Sequence, residues 1–280
     1  MARRKRLQFP GGVYHVMSRG NRKGPIFEND DDRLHFLSAV TTAAERYAVH
    51  VYEFCLMGNH YHFLLHTPRG NLSEVMCYIN GVFSQASNWR HGRTGHLLEG
   101  RFRSIVVPRE MYLKRVSRYI VMNPVAAGLV AHPSDWPWSS YRASVGLEAA
   151  HPFLESCWIQ WAFGVTARSE AQLAYRAYIQ EAITDPASGD LSDDVLKELA
   201  EAQYRDRLVP HTRHEDVRPS ITELLDGTEG SPHARKLRID EAHRIHGYRF
   251  TEIAKALQMH PSTPGIIVRR FREGGRPRTR

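Results

Sequence analysis

Cysteine is scarce in this chain. Its 280 residues hold three, Cys55, Cys77 and Cys157, and none sits in a Cys-x-x-Cys pair. So sparse and odd a set excludes a disulfide scaffold or a zinc ribbon and points to a reducing cytoplasm. Long apolar runs are missing too. Stretches such as Phe63-Leu-Leu65 and Ile120-Val-Met122 fall far short of the ~20 residues that cross a bilayer. The opening Met-Ala-Arg-Arg-Lys-Arg-Leu carries charge with no apolar core behind it, so export is not expected. There is no internal repeat and no low-complexity tract. Acid is absent from residues 1–27, which hold seven Lys or Arg.

What is present suits a soluble globular protein. Hydrophobic residues make up 42% and charged residues 24%, on a chain long enough for one sizeable core and a smaller second unit. The net charge is +8, and the excess is concentrated at the ends. The last twelve residues carry six Arg against the single acid Glu273. Two basic ends on a net-positive chain predict phosphate contacts, and hence nucleic acid.

The pattern of elements predicts a fold. Residues 13–18 read as a strand behind Gly11-Gly12. Asp30-Asp31-Asp32 opens a helix with Leu34, Leu37, Val40, Ala44 and Tyr47 at helical spacing. Residues 49–56 and 61–66 are strands joined by a hairpin at Gly58-Asn59. A second helix from Asn71 presents Leu72, Met76, Ile79 and Phe83. Residues 103–107 are a fourth strand, and a third helix runs from Arg109 to Asn123, where Pro124 ends or kinks it. The order β-α-β-β-α-β-α is that of an α+β, ferredoxin-like split βαβ. It predicts one antiparallel sheet with helices on one face and the first and third strands at its centre.

Residues 131–145 read as an ordered loop pinned by Trp136, Trp138 and Tyr141. Helices are expected over roughly 155–183, 191–206 and 219–226, with linkers at 185–189 and 227–232. Residues 233–246, 250–257 and 266–271 form a helical pattern whose last two members read as a helix-turn-helix with a basic second helix. The expected organisation is a core at 7–145, a helical connector at 146–230 and a helix-turn-helix DNA-binding domain with a basic tail at 231–280.

His60-Tyr61-His62 carries the chemistry. Residues two apart on a strand share a face, so both imidazoles could meet one divalent metal ion, with Tyr61 turned to the core. Two nitrogens leave a metal short of ligands. Tyr119 and Asn123 are four apart on one helix and so share a face. Asn123 offers a carbonyl oxygen to a hard cation. Tyr119 offers a phenol, a poor nucleophile unless a Lewis acid polarises its target. Tyr112, two turns upstream, is the rival nucleophile. His15, His66 and His96 lie near the motifs and read as structural or DNA-contacting rather than as ligands.

Four segments together resemble the single-tyrosine HUH transposases, in their REP-associated tyrosine transposase branch. They are Phe9-Pro-Gly-Gly-Val-Tyr-His-Val-Met-Ser-Arg-Gly-Asn21, Cys55-Leu-Met-Gly-Asn-His-Tyr-His62, Gly95-His-Leu-Leu-Glu-Gly-Arg-Phe-Arg103 and Arg118-Tyr-Ile-Val-Met-Asn-Pro-Val-Ala-Ala-Gly-Leu-Val130. The resemblance covers about residues 7–145. It implies that His60 and His62 bind Mg2+ or Mn2+ with Asn123 as third ligand, and that Tyr119 attacks DNA. The implied substrate is single-stranded, hairpin-forming DNA, such as short palindromic repeats, cleaved and rejoined through a 5′-phosphotyrosine. Arg19, Arg101 and Arg103 are then candidates to grip phosphates. The chain has Gly58 where the family usually has Pro, which loosens the hairpin and removes no catalytic group. A homodimer is left open, and the expected location is the cytoplasm, with the nucleoid.

Two rivals remain. One is a non-catalytic, sequence-specific DNA-binding regulator on a retained scaffold. The other is a metal-dependent hydrolase that uses His60 and His62 with water as the nucleophile, though Asp or Glu ligands near His60 are lacking.

Overall fold

The computed structural model of the chain describes residues 7–107, 110–184, 196, 201, 221–225, 232–244 and 248–273. Strand β1 (Gly12–Arg19) leads into α1 (Asp30–Tyr47), β2 (His50–Leu56), β3 (His60–Thr67), α2 (Leu72–Arg90), β4 (Arg103–Val106) and α3 (Glu110–Ala126). The strands form one sheet in the order β2-β3-β1-β4, each neighbour antiparallel to the next. The expected central pair, β1 and β3, is therefore present. Helix α1 starts where Asn29 accepts a hydrogen bond from the Asp32 amide, and three acids occupy its first turn. Both features complement the unpaired amides and positive end of a helix N-terminus.

Alternation along β3 divides its side chains between two faces. Tyr61, Phe63 and Leu65 join α1 and α2 in one core, where the Phe36 ring lies 4.8 Å from Tyr61 and 5.0 Å from Phe83. Tyr61 is fully buried, as expected, and donates its hydroxyl hydrogen to Asn80 Oδ1 at 2.5 Å. His60, His62, Leu64 and His66 take the other face.

The expectation of helices on one face is corrected here. The second face presents Tyr52, Cys55 and Leu64, which require apolar cover. Val116 and Ile120 of α3 supply it, together with α5 (Trp158–Ala162) and α6 (Arg168–Thr184) through Trp158 and Tyr175. Residues 158–184 thus pack into the core of the first unit.

Two element ends also differ from expectation. Pro124 does not end α3; it lies in the last turn, where its missing amide costs one hydrogen bond. The helix closes through Ala127 and Leu129 amides on the Asn123 and Pro124 carbonyls, with Gly128 at φ +68°. The stretch expected over 155–183 is two helices, separated by a turn in which Gly164 has φ +67°.

The loop at 131–145 contains a 3-10 turn (Pro133–Asp135) and α4 (Tyr141–Ser144). It lies along the outer edge of β2. Trp136 Nε1 donates to the Leu56 carbonyl at 3.2 Å, and the Leu56 amide donates to Trp138 O at 2.8 Å. An otherwise open sheet edge is thereby paired.

The chain divides into compact units at 1–211 and 212–280. The second contains α7 (Ile221–Leu225), α8 (Pro232–Arg244), α9 (Phe250–Ala256) and α10 (Thr263–Glu273) around Leu225, Ile239, Ala242, Tyr248, Ile253 and Val268. Most of the helix expected at 191–206, the linker at 185–189 and most of that at 227–232 lie outside the described residues. Among the described residues, no helix is long and apolar enough to cross a membrane.

Candidate active site

The sheet register builds the site. On β1 and β3, Arg19 stands opposite His60 and Met17 opposite His62. Met17 is in turn opposite Arg103 of β4. His62, Met17 and Arg103 therefore form one row across three strands, with Arg19 and His60 in the next. Arg101 precedes β4 and is exposed, so the register brings Arg19 and Arg103 to this face but not Arg101.

The two imidazole centroids are 5.0 Å apart and nearly perpendicular. Tyr119 on α3 sets its ring edge-on to His62 at 5.5 Å and to His15 at 5.8 Å. Asn123, one turn further on, donates from Nδ2 to the Tyr119 carbonyl at 2.7 Å, and its side chain also reaches His60 in a hydrogen-bonding contact. His60, Tyr119 and Asn123 line a cleft of about 350 Å³ with Met57, Met122, Ala126 and Ala127. The four sequence-predicted groups thus converge in a single chain. Tyr112 instead packs with the apolar cluster beneath α3, with the Arg115 guanidinium over its ring. His66 is buried and stacks with His50 and Tyr52, while His96 is exposed.

The hydrogen-bond network fixes one tautomer. Asn59 donates from Nδ2 to the Lys23 carbonyl at 3.0 Å, which leaves its Oδ1 facing His60 Nδ1 at 2.7 Å. An amide oxygen only accepts, so His60 Nδ1 carries the hydrogen and Nε2 keeps its lone pair. Burial lowers the pKa of His60, and the Arg19 charge lowers it further, while Asn123 partly offsets both. Burial also drives His62 well below the usual imidazole range, helped by His15 and His60. Both rings are held in the uncharged form that can coordinate a cation.

The residues fit a divalent metal. His62 Nε2 is buried with no hydrogen-bond partner, a costly state for a polar nitrogen that a ligand would relieve. Among the described residues, no group of three or more His, Cys, Asp or Glu could hold a metal, so a third protein donor would be the Asn123 amide. Arg19 Nε is likewise buried without a partner, a donor suited to a phosphate oxygen beside His60.

Residues 9–123 match the family model described as transposase IS200 like. The likeness to the IS200-like transposases is confined to this segment. A Haemophilus influenzae protein named as a REP-associated tyrosine transposase is 26% identical over 124 residues, 40% of this chain and 70% of its own length. A solved structure of a REP-associated tyrosine transposase bound to a REP hairpin is similar at 19% identity and a TM-score of 0.47. It covers 55% of this chain and 90% of that one. The resemblance to the single-tyrosine transposases is borne out by the family match and the relative.

The matched segment ends at Asn123, yet the support for its site face continues. A β-bulge between Val51 and Glu53 brings Glu53 opposite Leu64. There it is fully buried and accepts hydrogen bonds from Ser140 Oγ and, at 2.9 Å, from Ser144 Oγ. Burial pushes its carboxyl up to about 7, against the pull of Ser140, Ser144 and Tyr175. Sequence reasoning missed Glu53 and the orienting role of Asn59. The only available signals were an acid inside an apolar strand and an asparagine next to His60.

Proposed function

We propose that the chain is a DNA-cleaving and DNA-joining transposase acting on single-stranded, hairpin-forming DNA. The observation that carries this is the Tyr119 ring set 5.5 Å from His62 on the face that also holds His60 and Asn123. A divalent cation, Mg2+ or Mn2+, held by His60, His62 and Asn123 would polarise the scissile phosphate and offset charge in the transition state. Arg19 and Arg103 hold neighbouring phosphates, and Arg19 has the free donor for it.

The Tyr119 oxygen forms a bond to phosphorus as the bond from phosphorus to the 3′-oxygen breaks. The phenolic proton is lost and the departing 3′-oxygen gains one. The products are a 5′-phosphotyrosine and a free 3′-hydroxyl, and attack by another 3′-hydroxyl reverses the step onto a new end. All four groups come from one chain, so the reaction needs no partner subunit to complete the site. The basic helix α10, with Arg269, Arg270 and Arg272, and the shorter α9 before it form a helix-turn-helix that binds duplex DNA. The chain works on chromosomal DNA in the cytoplasm, where Cys55, Cys77 and Cys157 stay free.

The test uses the full chain, a labelled hairpin oligonucleotide with single-stranded flanks, Mn2+ and a denaturing gel. A covalent adduct that disappears in Tyr119→Phe is expected. An adduct that survives Tyr119→Phe and is lost in Tyr112→Phe would move the nucleophile. Duplex binding with no adduct on any hairpin would favour the non-catalytic regulator, and turnover without an adduct would favour a hydrolase.

A further inference from the structure

His15 faces the site from β1, diagonal to His62 across the central strand pair, with Leu64 directly opposite it. Its Nε2 lies 2.9 Å from His62 Nδ1, and the rings stack at 5.1 Å and 10°. Both side chains are buried, at 3% and 1% exposure. This hydrogen bond occupies one nitrogen of His62 and leaves the other, Nε2, buried without a partner.

A bond between two uncharged imidazoles has two forms. In one, His15 Nε2 donates, so His62 carries its hydrogen on Nε2. A buried N–H then points at nothing, and no lone pair is available there. In the other, His62 Nδ1 donates to His15 Nε2, and His62 Nε2 is a bare lone pair. The neighbouring ring already shows the second pattern, since His60 gives its Nδ1 hydrogen to Asn59 and so carries a lone pair on Nε2. Ligating histidines are commonly fixed in this way through the nitrogen that does not meet the metal.

We propose that His15 is the positioning residue for His62, accepting its Nδ1 hydrogen so that Nε2 is presented to a divalent cation. The inference rests on the metal site of the proposed function. His15 is not itself a ligand, because the nitrogen it turns toward the pair is taken by His62. An apolar ring at position 15 would preserve the stack and lose the acceptor. A β1 residue outside the His-x-His motif thereby sets the metal-binding form of that motif. Asn59, in the hairpin turn just before β3, does the same for His60.

The experiment compares full-length wild type, His15→Leu and His15→Gln. Mn2+ alone is titrated without DNA, using loss of the free-ion electron paramagnetic resonance signal. Imidazole ¹⁵N spectra of the metal-free proteins report which His62 nitrogen carries hydrogen. The wild type is expected to show a protonated Nδ1 and a bare Nε2. His15→Leu should weaken Mn2+ binding by roughly 10- to 100-fold. His15→Gln, whose side-chain oxygen can accept the same hydrogen, should recover most of that loss. A merely structural role predicts no rescue that follows the acceptor.

Wild-type Mn2+ binding with unchanged affinity in a folded His15→Leu would overturn the role of His15 and leave the metal site standing. So would a wild-type His62 with its hydrogen on Nε2. If His15→Leu does not fold, a Gln variant that binds as wild type and the wild-type tautomer together support the role, and a protonated Nε2 overturns it. A wild type that takes up no Mn2+ overturns the metal site, and the positioning role with it.

Discussion

The hydroxyls of Ser117 and Tyr175 lie 2.5 Å apart, joining α3 two residues before Tyr119 to α6. Both are buried. The helix that carries Tyr119 is therefore held from behind by a segment outside the family match, which ends at Asn123. Glu53 adds to this support, because its carboxyl bonds to Ser140 and Ser144 and also interacts with Tyr175. Strand β2, the loop at 131–145, α3 and α6 thus meet around one small polar group in an apolar core.

Removing the Tyr175 hydroxyl should weaken this junction. Tyr175→Phe keeps the ring packing against Trp158 and Tyr141 but leaves the Ser117 hydroxyl short of a partner. A buried group so stranded costs about 1–3 kcal/mol. Thermal denaturation should show a lower midpoint. Adduct formation on hairpin DNA at low temperature should persist, because the His60, His62 and Tyr119 contacts are not touched. An unchanged midpoint would mean that the hydroxyl pair contributes nothing to the attachment of α3.

Glu53 predicts a pH dependence with a definite sign. Its folded carboxyl titrates near 7, above the ordinary 4.5. The folded state therefore holds a proton that the unfolded state releases between these values. The stabilising contribution is full below about pH 4.5 and is lost as pH rises to about 7. Glu53→Gln carries no charge at any pH and can still accept from the serines. Its stability relative to wild type should rise across that window and level off above pH 7, at no more than about 3 kcal/mol. Paired melts at pH 4.5 and 8 test this; an equal difference at both would show that Glu53 does not titrate in the folded chain.

The site was legible in the sequence because its parts are local. His60 and His62 share a face through strand alternation, and Tyr119 and Asn123 share one through helical spacing. The strand order could also be read, since apolar segments and turn residues set it. What joins distant elements was less visible. Nothing in the sequence near His15 marks its bond to a ring 47 positions later. The second helical layer was missed because the alternation in β2 is disrupted at the bulge, so Tyr52, Glu53 and Cys55 do not spell out an apolar face. Pro124 was over-weighted as a helix stop, since α3 runs on to Ala126 at the cost of the one hydrogen bond its missing amide would have made.

The hairpin ahead of His60 offers a stabilising change. Gly58 is not held in a left-handed conformation, and a Cβ there would meet nothing within 4 Å. Its carbonyl accepts from the Ile26 and Phe27 amides, contacts that a methyl side chain leaves intact. Gly58→Ala should stabilise the protein by about 0.4–1 kcal/mol, by restricting the unfolded chain. Chemical denaturation should show a higher midpoint with an unchanged slope. A lower midpoint would mean that the hairpin needs glycine's freedom.

Arg103 and Arg101 make an internally controlled pair. They are two residues apart, but only Arg103 lies in a row with His62 across the sheet. Measured against salt, the affinity of wild type for a single-stranded oligonucleotide should fall steeply on a logarithmic plot. Arg103→Ala should reduce that slope by about 0.7, the value for one lost phosphate contact on a single strand. The loss should be similar for unrelated base sequences, because a phosphate contact positions the strand without reading it. Arg101→Ala, altered ahead of the strand, should leave the slope near the wild-type value. If Arg101→Ala changes the slope and Arg103→Ala does not, the single strand does not follow the row from Arg103 to His62 but passes the site along the turn that precedes β4.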